Sequence, residues 1–464
     1  MSTPNTHFGA SRISEMLRDV SSIYFIGIGG INMSSLAHIA HRRGYRVGGS
    51  DRCESALTRR LEECGIEINY SHERDNVKGY EAVVYTVAIS PDNPEYSEAQ
   101  RQGVPCISRA DFLGYIMTAY PCRIGVSGMH GKSTCTSMFA TVFMLAGSSP
   151  TVLSGAELSL MDGAYTLGDG EHFIFEACEY MDSFLDFNPT LAVILNVEMD
   201  HVDYFHSIDQ IKDSFARFAA ITGTGGSAVY NCDDANVISA LSSYGGSKIS
   251  FGIESESADY RAVDIESDRG RYAFSVLKKG VPFCRVNLSV TGYHNIYNAL
   301  ACVAAADTCG IAPEDIEKGL SAFVGAKRRM EYKGSFRGAE LYDDYGHHPT
   351  EAATTLEGAR GIAKNRLICV FQPHTYSRTA ELFEEFTHAF DAADLVILSD
   401  IYAAREKDEG VVSSERLALA IGEKAVYGKS IENTARLLRK ELKDGDLAVI
   451  MGAGDIYKIF DLLK

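Results

Sequence analysis

A lysine and two hydroxyl residues directly follow a short glycine-rich segment in the middle of the chain. The segment reads Gly128-Met129-His130-Gly131-Lys132-Ser133-Thr134. In such a segment the lysine reaches the β- and γ-phosphates of a nucleotide, and the hydroxyl of Ser133 lies on Mg²⁺. The residues therefore predict a nucleotide-phosphate site, and the alternative is a chance Gly-Lys-Ser in a turn.

The elements around this segment favour the phosphate site. Arg123–Ser127 has the composition of a buried strand, and apolar residues recur at helical spacing from Cys135 to Phe143. The loop would then join a strand to a helix N-terminus, where free N–H groups and the helix dipole attract anions. The motif departs from the usual phosphate loop because Val126 occupies the position of its first glycine.

A second glycine-rich turn follows the predicted strand Ile23–Ile28. It reads Gly27-Ile28-Gly29-Gly30-Ile31-Asn32, and Asp51 follows the next strand at the spacing expected for a ribose contact. The pattern predicts a diphosphate cradle, for which both NAD and a UDP-sugar are candidates. A tight structural turn is the alternative.

Acidic and histidine side chains follow two further predicted strands. Glu176, Glu179 and Asp182 come after the first strand, and His201 follows the second. Ligands bind at the carboxyl ends of parallel strands, so Glu176 and His201 are candidates for a metal site beside the phosphates. A solvated acidic loop is the alternative.

Three more positions carry chemistry nearer the end of the chain. Asn295 opens a predicted helix, where it could cap the helix or contact an adenine. His347 and His348 are adjacent and follow two aspartates, and Pro349 suits the start of a helix. Arg378 could clamp an anion, or it could be an exposed arginine on a helix surface.

Composition limits the class of protein. The chain has 464 residues, 45% of them apolar, and this length predicts about three domains. Its net charge of −18 argues against duplex nucleic acid as a partner. Eleven cysteines without a C-x-x-C pair predict reduced thiols rather than disulfides or zinc. The polar start and the short apolar stretches predict a cytoplasmic protein without a membrane partner.

Strand patterns indicate an α/β fold with parallel sheets. We expect three blocks, at residues 1–119, 120–324 and 325–464, with some antiparallel strands at about residues 227–290. The predicted buried strands are Ile23–Ile28, Ala82–Val87, Arg123–Ser127, Leu191–Asn196, Leu367–Phe371, Leu395–Ser399 and Leu447–Met451.

These segments, in this order, resemble the Mur ligases over nearly the whole chain. The matching motifs are Gly27-Ile28-Gly29-Gly30, Gly128–Thr134, Glu198-Met199-Asp200-His201-Val202-Asp203, His294-Asn295, Arg328-Arg329, Asp343-Asp344-Tyr345-Gly346-His347-His348-Pro349 and Phe371-Gln372-Pro373-His374.

The resemblance implies a three-domain α/β architecture. A Rossmann-like N-terminal domain would bind a UDP-sugar, a P-loop-type central domain would bind ATP, and a Rossmann-like C-terminal domain would close over the ATP.

Some of the site residues that the resemblance implies would bind ATP, and others would hold Mg²⁺. The segment Gly128–Thr134 would bind ATP together with Asn295, Arg328 and Asp344. Mg²⁺ would be held by Ser133, Glu176 and His201, with either Glu176 or Glu179 as the main carboxylate ligand.

The remaining carried-over residues concern the UDP-sugar and the reaction. UDP-sugar contacts are expected from Gly29, Gly30, Ser50, Asp51, His72, His201 and His347. Lys132, His348 and Arg378 are the expected catalytic residues, and His348 or a nearby group would accept the proton of the attacking amine.

The implied reaction is an ATP-dependent ligation through an acyl phosphate. The resemblance implies UDP-N-acetylmuramate and L-alanine as substrates and a monomer or homodimer as the assembly. Alternatives are a ligase that accepts a preformed murein tripeptide, an NAD-dependent dehydrogenase, and a nucleotide-gated UDP-sugar sensor without catalysis.

Overall fold

Three β-sheets follow one another along the chain. The computed structural model describes residues 3–161, 163–201, 204–404 and 406–463. The sheets contain five, ten and six strands, and no strand is shared between them. Each of the three predicted blocks contains one sheet, while the block boundaries at residues 119 and 324 stay predictions. The sequence-based prediction of a three-part α/β fold is confirmed.

The first sheet is entirely parallel, with the strand order β3-β2-β1-β4-β5. This order is typical of a Rossmann-like fold, whose ligands bind outside the carboxyl ends of the strands where the order reverses. The elements are α1 (Ala10–Met16), β1 (Ser22–Ile26), α2 (Ile31–Arg42), β2 (Arg46–Ser50), α3 (Ala56–Glu63), β3 (Glu67–Asn69), β4 (Ala82–Tyr85), α4 (Pro94–Gln102), β5 (Cys106–Ser108) and α5 (Arg109–Met117).

The second sheet has the order β15-β14-β13-β12-β11-β10-β6-β9-β7-β8. Strand β6 lies in its middle and pairs in parallel with β10 and β9. The elements are β6 (Cys122–Ser127), α6 (Lys132–Leu145), β7 (Thr151–Leu158), β8 (Gly163–Thr166), β9 (His172–Glu176), β10 (Leu191–Ile194), α7 (Ile208–Ile221), β11 (Ser227–Asn231), α8 (Ala235–Ala240), β12 (Ser247–Gly252), β13 (Tyr260–Asp268), β14 (Arg271–Lys278), β15 (Val281–Thr291), α9 (His294–Thr308) and α10 (Pro313–Ala322).

Antiparallel pairing occupies only the later part of the range predicted for it. Strands β13, β14 and β15 form antiparallel hairpins, whereas β11 and β12 are parallel neighbours. The hairpins turn at Gly270 and Gly280, both in the left-handed region. Helix α8 connects β11 to β12, and a parallel pair requires such a crossover.

The third sheet has the order β16-β17-β21-β18-β19-β20, and only β16 is antiparallel to its neighbour. The elements are β16 (Glu331–Phe336), β17 (Ala339–Asp344), α11 (Pro349–Arg360), β18 (Leu367–Phe371), α12 (Tyr376–Glu381), α13 (Phe383–His388), β19 (Leu395–Ser399), α14 (Ser414–Ile421), β20 (Ala425–Lys429), α15 (Ile431–Glu441), β21 (Leu447–Met451) and α16 (Ile459–Leu463). Helix α11 begins at Pro349, as predicted.

The predicted strands are all present. The three predicted in the C-terminal block agree with β18, β19 and β21 residue for residue. Strands β1, β4 and β10 end two residues earlier than predicted. Beyond β1 and β10, Ile28 and Leu195 stay buried, because the chain leaves the sheet there to enter turns packed on the same core.

The core of the central unit packs around α9. Eleven of its fifteen residues are buried, on several faces of the helix. A helix that is apolar all round has to lie inside the protein. Within the described part of the chain, no helix combines the length and the apolar character needed to cross a bilayer.

We predict that Leu300→Ala in α9 lowers the free energy of unfolding by about 2–5 kcal/mol, because it opens a cavity in a packed core. Leu300 is fully buried, whereas Leu419 in α14 is 78% exposed. The matched control Leu419→Ala should change that free energy by no more than about 0.5 kcal/mol. Urea denaturation measures both, and equal effects of the two substitutions would contradict the packing described here.

Candidate active site

The phosphate loop leaves the carboxyl end of β6, between β10 and β9. Its glycines are required by its shape. Gly128 and Gly131 have φ angles of 146° and 83°, and a Cβ on Gly131 would lie 2.7 Å from Oδ1 of Asn298. The loop is also fixed by Asn196, which accepts a hydrogen bond from the N–H of His130 (2.8 Å) and donates one to its carbonyl (3.0 Å).

Lys132 is held at the first position of α6. Its Nζ donates to the carbonyls of Gly128 (2.5 Å) and Met129 (3.1 Å) and lies 3.0 Å from the carboxylate of Glu179. Burial alone would lower the pKa of Lys132, but the negative charge of Glu179 outweighs it and raises the pKa. The lysine is therefore a fixed positive charge beside the loop.

The predicted metal residues lie together beside Lys132. The hydroxyl of Ser133 donates a hydrogen bond to the carboxylate of Glu176 (2.9 Å). The same carboxylate accepts a hydrogen bond from the N–H of Gly155 (2.8 Å). The ring of His201 contacts Glu179 at 3.0 Å. The hydroxyl and carboxylate oxygens suit Mg²⁺.

The two candidate carboxylates differ in their charge environment. Glu179 is fully buried and already faces Lys132 and His201. Burial would raise the pKa of Glu179, yet the charge of Lys132 holds it below its usual value. The contacts of Glu176 are with neutral donors, so its negative charge is the more available to a cation.

A cavity of about 840 Å³ lies between the central and C-terminal units, next to the phosphate loop. Its volume lies within the range of sites for small molecules and cofactors. The central unit contributes His130, Gly131, Thr134, Asn196, Glu198, Asn295, Tyr297 and Asn298 to the wall, and the C-terminal part contributes Lys327, Arg329, Asp344, Thr350 and Glu351.

Asn295 lies on the wall of this cavity but does not cap its helix. The N-cap residue of α9 is Tyr293, so the capping alternative is wrong. The amide of Asn295 donates to the carbonyl of Thr291 (2.7 Å) and accepts from Asn298 (2.9 Å). These contacts fix the amide at the edge of the cavity.

The two adjacent arginines have different partners. Arg328 donates to the carbonyl of Gly452 (2.6 Å) and lies 3.4 Å from Asp343, whereas Arg329 lines the cavity. Sequence reasoning selected Arg328 and missed Arg329, since an Arg-Arg pair does not show which side chain faces inward. The role of Arg328 stays a prediction.

Asp344 closes the turn after β17. Its carboxylate accepts from the N–H groups of Met330 (2.9 Å) and Gly346 (2.8 Å). Burial raises the pKa of Asp344 to about 6. Its position on the cavity wall is compatible with the predicted nucleotide contact, and its hydrogen bonds give it a structural role as well.

His130 lies between carboxylates from two parts of the chain. Its ring nitrogens are 3.7 Å from Glu198 of the central unit and 3.5 Å from Glu351 of the C-terminal unit. These distances are those of ion pairs rather than hydrogen bonds. Burial would lower the pKa of His130, but the two carboxylates raise it to about 9. Sequence reasoning gave Glu351 no role, although it is also the third residue of α11 and part of its capping box.

Arg378 joins the same two units. Its guanidinium lies 3.2 Å from the carboxylate of Asp200, and its side chain is only 12% exposed. The alternative of an exposed surface arginine is therefore wrong. Burial opposes ionisation of Asp200, but its neighbours His201 and Arg378 lower its pKa.

The adjacent histidines present opposite ring atoms. Nδ1 of His348 accepts from the N–H of Thr350 (3.3 Å), so the neutral ring carries its proton on Nε2, a buried atom without a hydrogen-bond partner among the described residues. Nδ1 of His347 donates to the carbonyl of Tyr345 (3.1 Å), which leaves the lone pair on Nε2. Burial lowers the pKa of both rings, that of His347 to about 4.

The predicted UDP-sugar residues of the first unit lie at or just beyond the carboxyl ends of β1, β2 and β3. Asp51 accepts from the N–H of Gly29 (2.8 Å) and thereby fixes the glycine-rich turn. Ser50 and His72 both contact the buried carboxylate of Glu95, each at 2.7 Å. None of these residues lines the cavity beside the phosphate loop. Sequence reasoning missed Glu95, because nothing in its local pattern shows that it is buried.

The comparisons with known proteins cover almost the whole chain. The Mur ligase family, catalytic domain, matches residues 22–121, the Mur ligase middle domain matches residues 126–306, and the Mur ligase, glutamate ligase domain, matches residues 328–454. A UDP-N-acetylmuramate–L-alanine ligase of Clostridium novyi is 44% identical over 443 residues, covering 95% of this chain and 96% of the relative.

Two solved structures share the architecture. The UDP-N-acetylmuramate-alanine ligase of Thermotoga maritima is 26% identical with a TM-score of 0.79, covering 95% of this chain and 98% of the other. A murein peptide ligase of Psychrobacter arcticus is 24% identical with a TM-score of 0.73, covering 96% and 98%, and shows the fold alone. With these matches over its three sheets and its phosphate loop, the chain belongs to the Mur ligase family.

Proposed function

We propose that this protein joins L-alanine to the lactyl carboxylate of UDP-N-acetylmuramate while ATP is converted to ADP and phosphate. Similar proteins with this named activity support the substrates. The geometry that carries the proposal is the meeting of two units at the phosphate loop, where His348 lies 4.8 Å from His130, ring centre to ring centre. The NAD-dependent dehydrogenase alternative is wrong, because the chain belongs to a family of ligases.

ATP is the nucleotide used by this family, and the cavity beside the phosphate loop is the proposed site for it. Loop N–H groups and Lys132 would hold the phosphates. The same cavity is lined by Asn295, Asp344 and Arg329, which are proposed contacts for the rest of the nucleotide. Arg328, the neighbour of Arg329 in the sequence, is a further proposed contact.

Ser133 and Glu176 are the proposed ligands of Mg²⁺, with Glu179 and His201 supporting them. Mg²⁺ would supply positive charge to the phosphate oxygens when bound. Lys132 adds a second fixed positive charge beside the loop, which its ion pair with Glu179 holds in place. Both charges reduce the repulsion between the nucleotide and the substrate carboxylate.

The reaction proceeds in two steps. The lactyl carboxylate takes the γ-phosphoryl group of ATP, which gives an acyl phosphate and ADP. The neutral amine of the amino acid then attacks the acyl carbon, and phosphate leaves from the tetrahedral intermediate. Arg378 and Lys132 would stabilise the negative charge on the transferred group.

The two histidines take different parts in this proposal. Nε2–H of His348 is suited to donate a hydrogen bond to an oxygen of the acyl phosphate. Nε2 of His347 carries the lone pair and could accept a proton, although its low pKa makes it a weak base. The lone pair on Nε2 supports the proposal that His347, rather than His348, is the nearby group that accepts the amine proton.

Exclusion of water explains why two units must meet. An acyl phosphate exposed to water would hydrolyse. The ion pairs His130–Glu351 and Arg378–Asp200 hold the C-terminal unit against the loop. The first unit, with Gly29, Gly30, Ser50, Asp51 and His72, is the proposed holder of the UDP-sugar.

The domain bounds, the location and the assembly of the protein are proposed as well. We propose domains at residues 1–119, 120–324 and 325–464, a cytoplasmic location, and a monomer or homodimer. All eleven cysteines are free thiols, four of them buried, as expected in a reducing compartment.

We expect sustained release of ADP and phosphate, over many turnovers, only when ATP, Mg²⁺, UDP-N-acetylmuramate and an amino acid are all present. L-Alanine should be preferred to glycine and L-serine, and a preformed murein tripeptide should be a poor substrate. Coupled ADP release measures the rates, and mass spectrometry identifies the product. Preference for the tripeptide would favour the tripeptide-ligase alternative, and binding of all substrates without turnover would favour a sensor.

We predict that Lys132→Ala lowers turnover by at least about 10²-fold, because a fixed positive charge at the transferred phosphoryl group is lost. UDP-sugar binding, measured by calorimetry, should stay nearly unchanged. The control Lys440→Ala removes an exposed lysine of α15 and should leave turnover unchanged. Full activity of the Lys132 variant would refute its assigned role.

Contact of the C-terminal unit with the loop should weaken as the pH rises. The pKa of His130 is raised from 6.5 to about 9 in the folded chain, so its ion pairs are complete below pH 6.5 and lost as the pH passes about 9. Small-angle X-ray scattering should show a larger radius of gyration at pH 9.5 than at pH 6.5. In the His130→Gln variant the radius of gyration should not change between pH 6.5 and pH 9.5. If this variant expanded with pH as the unsubstituted protein does, the assignment of the pH dependence to His130 would be contradicted.

A further inference from the structure

Two cysteines and a histidine meet at the edge of the central sheet opposite the phosphate loop. Cys122 is the first residue of β6 and His172 is the first residue of β9, and the two are register partners in parallel strands. Their side chains therefore point to the same face of the sheet. Cys309, the C-cap residue of α9, completes the group.

The three side chains have the spacing of metal ligands. The sulfur atoms of Cys122 and Cys309 are 3.4 Å apart, and one donor atom from each of the three residues lies within 4.8 Å of the others. Nδ1 of His172 is buried and has no hydrogen-bond partner in the described part of the chain. The rings of His172 and Phe143 pack edge to face with their centres 5.0 Å apart, and this contact limits the orientation of the His172 ring.

We propose that Cys122, His172 and Cys309 bind one Zn²⁺ ion, with water or a neighbouring carboxylate as the fourth ligand. Zn–S distances of about 2.3 Å in a tetrahedral site place two sulfurs about 3.7 Å apart, close to the separation seen here. Thiolate and imidazole ligands select Zn²⁺ over Mg²⁺, which prefers oxygen. The donor set is thus distinct in kind from that beside the phosphate loop.

A disulfide between the two cysteines is the competing possibility. It would need an oxidant, and it would leave Nδ1 of His172 buried without a partner. Zinc uses all three side chains, because each thiol gives up its proton and the neutral imidazole supplies a lone pair. Binding would release two protons and would require no change of oxidation state.

The place of this site in the fold indicates a structural role. Strand β6 runs six residues from Cys122 to the phosphate loop, a distance of about 20 Å. Helix α9 runs from the cavity wall at Asn295 to the cap at Cys309. One ion would therefore tie together the far ends of two elements that carry the nucleotide site.

The test uses the full-length reduced protein, stripped of metal and titrated with ZnCl₂ in the presence of excess Mg²⁺. We expect one Zn²⁺ per chain by native mass spectrometry, release of two protons, and a higher melting temperature on binding. Co²⁺ should give an absorption band from cobalt–thiolate charge transfer. Absence of stoichiometric zinc, or a Co²⁺ spectrum without this band, would overturn the proposal.

Cys309→Ser and His172→Gln should each weaken zinc binding by at least about 100-fold, since each removes a ligand. The control is Cys64→Ser. Cys64 lies 3.8 Å from Nε2 of His38, a cysteine–histidine contact that belongs to no cluster of three ligands in the described residues. It should leave zinc binding unchanged.

Circular dichroism and ADP formation establish that each variant is folded. The wild-type Co²⁺ spectrum tests the site even if a variant misfolds. Zinc affinity unaffected by either ligand substitution would refute the site. Failure of the reduced protein to bind zinc, together with a mass loss of two hydrogens on mild oxidation, would show that the cysteines form a disulfide instead.

Discussion

Charge pairing across the boundary between the central and C-terminal units is the interaction on which the active arrangement depends. His130 of the phosphate loop faces Glu351 of the C-terminal unit, and Arg378 of that unit faces Asp200 of the central one. Each pair is largely buried, so an unpaired member would carry a large desolvation cost. The contact between the two units is therefore favoured when these partners meet, and in the proposed reaction it would shield the acyl phosphate from water.

Parallel strands bring the chemistry of the central unit to one edge. Three neighbouring strands, β6, β9 and β10, have Lys132, Glu176 and Asn196 at or just beyond their carboxyl ends, although these residues are far apart in sequence. The opposite edge of β6 and β9 holds Cys122 and His172. A single pair of strands thus has the proposed phosphate site at its carboxyl end and the proposed zinc ligands at its amino end.

Sequence reasoning located the glycine-rich loop between β6 and α6 because the constraints on its conformation are local. Gly131 must have a positive φ and must lie close to Asn298, and both requirements appear directly as a glycine. It did not identify Glu351, Arg329 or Glu95, whose positions matter through contacts with residues distant in the chain or with the cavity. It also predicted no zinc, because Cys122 and Cys309 are separated by 187 residues and share no short motif.

The sequence by itself determined the class of fold, the strands and the position of the glycine-rich loop between β6 and α6, since apolar periodicity and glycine positions act over a few residues. It could not decide which of two adjacent side chains faces a cavity, as for Arg328 and Arg329, or which ring nitrogen of His347 and His348 is protonated. Tertiary structure decided these points. Burial, ion pairs and ring tautomers depend on neighbours that only the folded chain brings together.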